Sequence, residues 1–254
     1  MIAADTWHLL VRHLRYSFRM PTWVVINLIE PLIWLVLYGQ LFRSLVLLPG
    51  FPTSSYLQFF SPGVVVMTAL FGSAWSGMGI LTDIHFGVLE KYLVTPVSRT
   101  AIIAARVLHA AVTVAIQALV ILLVAVILGA RVSSGVGGAL LIAGIAALLG
   151  ITFSAMSNGA AIILRREEPL VALLNFVLMP LLFLSTAMMP SRLMPVWVAD
   201  LAHFNPVNWA VGATRILVVA GWQWGPLGRD IGLMVVFAAV LVAFAAATLH
   251  LRRD

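Results

Sequence analysis

Long apolar stretches separated by short polar segments dominate this chain. Six of them are long enough to cross a lipid bilayer, because a spanning helix needs about 20 mostly apolar residues. The predicted spans are 24–47, 61–82, 107–130, 137–164, 170–190 and 231–250. The pattern therefore predicts an all-α integral membrane protein with six transmembrane helices.

The segment 4–20, before the first span, has a different pattern. Its apolar side chains recur at helical spacing on one face: Trp7, Leu10, Val11, Leu14 and Phe18. Its basic side chains occupy another face: His8, Arg12, Arg15 and Arg19. This arrangement predicts an amphipathic helix that lies in the membrane interface and is broken at Pro21. The alternative is a solvated N-terminal helix.

Composition supports a membrane protein built as one domain over 1–254. Hydrophobic residues make up 62% of the chain and charged residues 9%, and the mean hydropathy is +1.08. A soluble domain is closer to half apolar and a quarter charged. The net charge of +6 is scattered between apolar runs and forms no basic stripe. We therefore expect contacts with membrane lipids and no nucleic-acid binding.

Lysine and arginine predict the orientation of the spans, since cytoplasmic segments carry an excess of both. With the N-terminus inside, the inner segments hold ten basic residues: Arg12, Arg15, Arg19, Lys91, Arg99, Arg106, Arg165, Arg166, Arg252 and Arg253. The outer segments hold five: Arg43, Arg131, Arg192, Arg215 and Arg229. Both termini are therefore predicted to be cytoplasmic.

Catalytic motifs are missing from the sequence. The single lysine, Lys91, follows Glu90, so there is no glycine-rich phosphate-binding loop. There is no His-Glu-x-x-His motif, and the six histidines are scattered singly. We predict no catalytic, cofactor or metal site on this chain. Within the spans only Glu30 is a candidate for ion coupling, and near the interface it is better explained by an ion pair or a helix cap.

Residues 83–96 predict a short cytoplasmic helix between the second and third spans. Four residues share one of its faces: Asp83, Phe86, Gly87 and Glu90. Thr95 and Pro96 end the helix, because the residue before a proline avoids helical backbone angles. An acidic and aromatic face of this kind suits a docking element. The alternative is an amphipathic connector.

The segment 191–229 predicts an outer region that re-enters the membrane before the last span. Aromatic and apolar side chains alternate there with proline breaks, and backbone at membrane depth must be helical or buried in protein. Two short helices would meet that demand. The candidate gate residues are Pro195, Trp197, Asn205, Pro206 and Trp209. A fixed interfacial lid is the alternative to a gate.

Three segments together resemble the membrane subunits of type-two ABC exporters, which include the daunorubicin-resistance permeases. The first is the 83–99 run, with Asp83, Gly87, Leu89, Glu90, Thr95, Pro96 and Arg99. The second is Tyr56-Leu-Gln-Phe-Phe-Ser-Pro-Gly63. The third is Pro190 to Trp197, followed by Asn205-Pro-Val-Asn-Trp209 and Arg215; Thr186 stands where a glycine is common.

The resemblance implies a specific mechanism. Two membrane subunits, either two copies of this chain or one copy and a paralogue, would form a pathway in the bacterial cytoplasmic membrane. A separate ABC ATP-binding subunit would hydrolyse ATP and push on 83–96, where Asp83, Phe86, Gly87, Glu90, Thr95 and Pro96 form the coupling site. The substrate would be an amphipathic drug or a lipid-like molecule. The alternatives are an ATP-independent carrier or channel and, less well supported, a membrane enzyme.

Overall fold

A computed structural model describes residues 2–19, 21–49, 51–53, 55–88, 91 and 98–250, and within those ranges the regular elements are helices. The α-helices with described bounds are α1 (Ile2–Arg19), α2 (Pro21–Leu41), α3 (Tyr56–Ala74), α4 (Ser76–His85), α5 (Arg99–Ile127), α6 (Gly135–Leu164), α7 (Glu167–Phe183), α8 (Val196–Ala202), α9 (Pro206–Arg215) and α10 (Trp224–His250). Two 3₁₀ turns (Arg43–Leu47 and Ser191–Leu193) and one π-helical turn (Ile216–Ala220) complete them.

Within the described residues, four stretches are long and apolar enough to cross a membrane by length and composition. They are Tyr56–His85, Thr100–Ile127, Gly135–Leu164 and Trp224–Thr248. Shorter apolar helical stretches in the same residues are Ile26–Leu41, which is part of α2, and Pro206–Ala220, which joins α9 to the π-helical turn. These helices confirm the all-α membrane class. The count of six spans stays a prediction.

The helix boundaries differ from the predicted spans in ways that have local causes. The first span was predicted to reach residue 47, but α2 ends at Leu41 and the chain continues as a 3₁₀ turn. The second was predicted to begin at 61, near Pro62, but α3 begins at Tyr56. Ser55 is extended, and the Phe59 amide donates to its carbonyl over 3.2 Å, which closes the first turn. Pro62 is thus inside the helix.

Helix α6 is the centre of the bundle and packs against α5, α10, α3 and α4. Small residues make these close approaches possible. A Cβ atom at Gly77 of α4 would overlap the backbone of Ser157 in α6, and one at Gly159 would lie 2.9 Å from Phe244 of α10. The outer faces of the bundle are apolar and exposed, as in Ile127 and Phe176, so the membrane acts as their solvent.

Helix α1 packs along α5 beside α2. The Ser17 hydroxyl lies 2.8 Å from Nε2 of His109, and the Asp5 carboxylate accepts from the Ser98 amide over 3.5 Å. Burial, together with the charge of Arg106, lowers the pKa of His13 to about 4, so this contact face carries a neutral imidazole at pH 7. Trp7 is exposed. The predicted helix is therefore present, and its position in the membrane interface stays a prediction.

The two ends of the bundle are called the His85 end and the Asn205 end. The C-terminus of α4, the N-terminus of α5 and the α6–α7 turn lie at the His85 end. The Asn205 end carries the α5–α6 turn and the segment 184–223 between α7 and α10.

Candidate functional site

The Asn205 end contains two short helices where the sequence predicts a re-entrant region. Helix α7 ends at Phe183, and α8 and α9 follow before α10 starts at Trp224. The amides of Ser133 and Ser134 donate to the carbonyls of Val218 and Leu217, over 3.0 and 3.1 Å. The end of this segment is therefore fixed to the α5–α6 turn.

Asn205 joins the two halves of this segment through both ends of its amide side chain. Its Oδ1 accepts from the Val207 amide over 2.9 Å and so caps α9, whose first residue is Pro206. Its Nδ2 donates to the carbonyls of Leu181 and Leu184, over 2.6 and 2.9 Å. Those carbonyls lie at the C-terminal end of α7, where no further helical amides are available to donate to them. One side chain thus caps both the C-terminus of α7 and the N-terminus of α9.

We expect Asn205→Ala to lower the free energy of unfolding by about 2 kcal/mol, because a cap is lost and buried carbonyls lose their donor. Thermal unfolding in detergent measures the change. Asn205→Asp is the matched variant, since it keeps the capping oxygen and loses both donated bonds. A thermal midpoint for Asn205→Asp equal to that of the parent would contradict the role given to the α7 carbonyls.

Arg215, at the end of α9, binds backbone oxygens from two other segments. Its Nη2 donates to the Thr186 carbonyl over 2.7 Å, its Nη1 to the Thr186 hydroxyl over 3.1 Å, and its Nε to the Phe59 carbonyl over 3.4 Å. The guanidinium carbon lies 3.9 Å from the centre of the Phe59 ring. Asn208 Oδ1 accepts from the Thr186 amide and hydroxyl, over 3.0 and 2.6 Å. Arg215 therefore connects α3, α9 and the chain after α7.

The close approach of α3 to the chain after α7 depends on Gly63. A Cβ atom there would overlap the carbonyl oxygen of Ala187. The Tyr56 hydroxyl donates to the carbonyl of the next residue, Met188, over 3.1 Å. The Tyr56–Gly63 and Asn205–Arg215 segments, which are far apart in sequence, are thus in contact through residues 186–188.

The candidate gate residues separate into two groups. Asn205, Pro206 and Trp209 come together at the α8–α9 junction, where Trp209 Nε1 donates to the His203 carbonyl over 2.7 Å. Pro195 precedes α8, and Trp197 on α8 is exposed. The sequence interpretation did not select Thr186 or Asn208 as site residues. The sequence did contain an indication for Thr186, since related proteins commonly have a glycine at this position.

A cavity of about 620 Å³ opens between this segment and α10. Its lining combines charged, polar and aromatic side chains, including Arg192, His203, Asn208, Trp209, Arg229 and Asp230. Asp230 is buried and accepts from Nε and Nη2 of Arg229, over 3.1 and 2.9 Å. This is a mixed polar and apolar site at the Asn205 end.

At the His85 end the structure corrects the start of the predicted helix 83–96. Asp83 lies within α4, which ends at His85, and Gly87 has a positive φ of 65° that only glycine adopts without strain. The Lys91 amide donates to the Gly87 carbonyl over 3.3 Å, so a new helical turn begins after the glycine. Glu90, Thr95 and Pro96 lie outside the described residues.

Asp83 also differs from its predicted role on an outward docking face. Its carboxylate pairs with Arg106 of α5, which donates in addition to the Gly79 carbonyl over 3.2 Å. The Asp83 and Arg106 side chains are 24% and 11% exposed, so the pair is largely buried. Phe86, by contrast, is 76% exposed directly beyond it. Of the described coupling candidates, Phe86 and Gly87 lie at the surface and Asp83 fixes the helix behind them.

Potential metal ligands do not cluster within the described ranges, where no group of three or more histidine, aspartate or glutamate side chains is placed to hold an ion. His85 and Glu167 approach each other to 4.0 Å at the surface. The polar contacts described above join backbone segments and helices.

Comparison with known proteins gives consistent matches over most of the chain. The family described as ABC-2 type transporter matches residues 4–219. A protein named putative transport permease ycf38 from Cyanophora paradoxa is 33% identical over 207 residues, covering 78% of this chain and 69% of the relative. Its namesake from Pyropia yezoensis is 30% identical over 254 residues (92% and 86%). The daunorubicin resistance ABC transporter permease protein DrrB1 of Streptomyces coeruleorubidus is 29% identical over 240 residues (92% and 81%).

Proposed function

The chain belongs to the ABC-2 type transporter family, as a membrane permease subunit, and on that basis we propose that it forms the export pathway of an ATP-driven transporter. In this proposal two permeases, either two copies or one copy and a paralogue, enclose the pathway. ATP is hydrolysed on a separate ABC ATP-binding subunit, since this sequence has no phosphate-binding loop. The substrate is an amphipathic drug or a lipid-like molecule, and a relative named for daunorubicin resistance supports that class.

The proposed orientation places the His85 end in the cytoplasm of a bacterial cell, with both termini on that side. The ten-to-five distribution of lysine and arginine supports it. The Asn205 end then faces outward, and 191–229 is the candidate gate. Movement there would require α9 to exchange its bonds with the chain after α7, because a gate needs two arrangements of one element.

The exposed Phe86 beyond a fixed helix is the observation that carries the coupling proposal. Helix α4 is held to α5 by the Asp83–Arg106 pair and is packed against α6. A force applied at Phe86 and Gly87 would therefore be passed to both helices. In this proposal the ATP-binding subunit contacts Phe86, and Asp83 transmits the movement from inside the bundle.

The test is whether the tagged permease retains an ABC ATP-binding subunit when the two are co-expressed. We expect Phe86→Ala to weaken binding by about 2 kcal/mol, because truncated aromatic anchors commonly cost that much, and to reduce export in proportion. Val88→Leu is the matched control, a conservative change two residues further along the same connection. Retention of the ATP-binding subunit and export at parental levels by Phe86→Ala, at equal membrane expression, would refute the coupling role.

A further inference from the structure

The cavity at the Asn205 end, between residues 186–212 and α10, carries an inference beyond the export pathway. Two of its charged side chains are arginines from different elements, Arg192 on the 3₁₀ turn before α8 and Arg229 on α10. Its one carboxylate, Asp230, already accepts from Arg229. The lining therefore holds an excess of one positive charge.

Asp230 positions Arg229 and leaves little capacity to bind a cation. Its side chain is 7% exposed, and its Oδ2 lies so close to α9 that a Cβ atom at Gly212 would be 2.9 Å away. Arg229 uses Nε and Nη2 in the pair, which is two of its three nitrogens, and its side chain is 71% exposed. Arg229 is thus held at the cavity, and its guanidinium retains N–H groups that can donate to a ligand.

Arg192 supplies the second positive charge. Among the described residues no carboxylate lies within ion-pair distance of it. Guanidinium groups bind phosphate oxygens with two parallel hydrogen bonds, so two of them at one cavity suit a phosphate group. Asn208 and Thr186 add polar groups to the same lining.

The cavity lies near two stacked tryptophans and is flanked by apolar side chains. Arg229 is five residues into α10 from Trp224, which is about 7.5 Å along a helix. Trp224 and Trp222 stack with ring centres 5.1 Å apart, and tryptophans are typical of the headgroup level. Leu233 of the lining and Trp197 on α8 are exposed. Acyl chains would meet these side chains while a headgroup occupies the cavity.

We propose that this cavity binds the phosphate headgroup of an anionic amphiphile, with Arg192 and Arg229 as its ligands and Asp230 as a positioning residue. The acyl chains lie against α8 and against α10 near Leu233. Binding requires neither ATP nor the ATP-binding subunit, so it can be tested apart from the proposed export function.

The test is titration of the purified permease, in a neutral detergent, with dioctanoyl phosphatidic acid, followed by calorimetry. We expect Arg192→Gln and Arg229→Gln each to weaken binding about tenfold, the value of one charge-assisted contact to phosphate. Arg131→Gln is the matched control, an exposed arginine at the same end that does not line the cavity. Arg192→Lys keeps the charge and loses the pair of parallel hydrogen bonds, so it should recover less than half of the affinity.

Three results would overturn the proposal. The first is equal affinity of the parent and the Arg192→Gln/Arg229→Gln double variant, with unchanged thermal midpoints. The second is equal binding of dioctanoyl phosphatidylcholine, whose headgroup has no net charge. The third is displacement by inorganic phosphate at the concentrations at which the lipid binds, which would identify a site for a free anion.

Discussion

Arg106→Ala is expected to lower the free energy of unfolding by about 3 kcal/mol, because it leaves the Asp83 carboxylate largely buried without its cation. The carbonyl of Gly79 also loses a donor. We expect a lower yield of folded protein from the membrane and a lower thermal midpoint in detergent. Asp83→Ala should have an effect of the same size, since it leaves the less exposed guanidinium unpaired.

The double variant Asp83→Leu/Arg106→Met separates the cost of an unpaired charge from the cost of losing the pair. Replacing a buried ion pair by apolar side chains of similar volume is commonly neutral, so the double variant should be more stable than either single variant. Additive losses in the double variant would contradict a direct pairing. Export by a stable double variant would further show that the charge of Asp83 is not needed for coupling.

Arg215→Met is expected to lower the free energy of unfolding by about 4 kcal/mol. It removes the donors to the Thr186 and Phe59 carbonyls and the cation above the Phe59 ring, while the methionine still fills the space. Buried carbonyls left without a donor cost about 1–3 kcal/mol each. The measurement is thermal unfolding, together with protease access to residues 184–205.

Two further variants make this result specific. Arg215→Lys keeps the charge and loses the planar fork, so it should recover less than half of the loss. Arg43→Met removes an exposed arginine at the same end and should change the midpoint little. A midpoint for Arg215→Met equal to that of Arg43→Met would mean that the contacts of Arg215 do not hold the Asn205 end together.

Local sequence signals predicted the class of the fold and the type of its main segments. Apolar length identified the regions of α3 with α4, α5, α6 and α10, because the membrane imposes that length on every spanning helix. The proline breaks in the segment 191–229 predicted two short helices, and α8 and α9 lie there. These features depend on neighbours in sequence, which is why they can be recognised without a structure.

The pairings across the bundle could not be predicted in the same way. Asp83 has the spacing of a docking face with Phe86 and Gly87, but its partner Arg106 is 23 residues away on the next helix. The helix also ends at His85, since Gly87 takes a left-handed conformation that the pattern of apolar residues does not reveal. The role of Thr186 depends on Arg215 and Asn208, which reach it only in the folded chain.

A contact between two residues can form only after the later of the two has been synthesised. The positions of these pairs in the sequence therefore set the order in which the two ends of the bundle are completed. The Asp83–Arg106 pair joins α4 to α5 across 23 residues, so these two helices can neutralise each other's charge as soon as both have left the ribosome. Arg215 meets Phe59 across 156 residues. The nascent chain thus passes through a stage with one end locked and the other open. Quality control in the membrane would therefore detect defects at Arg215 late, on a chain already inserted.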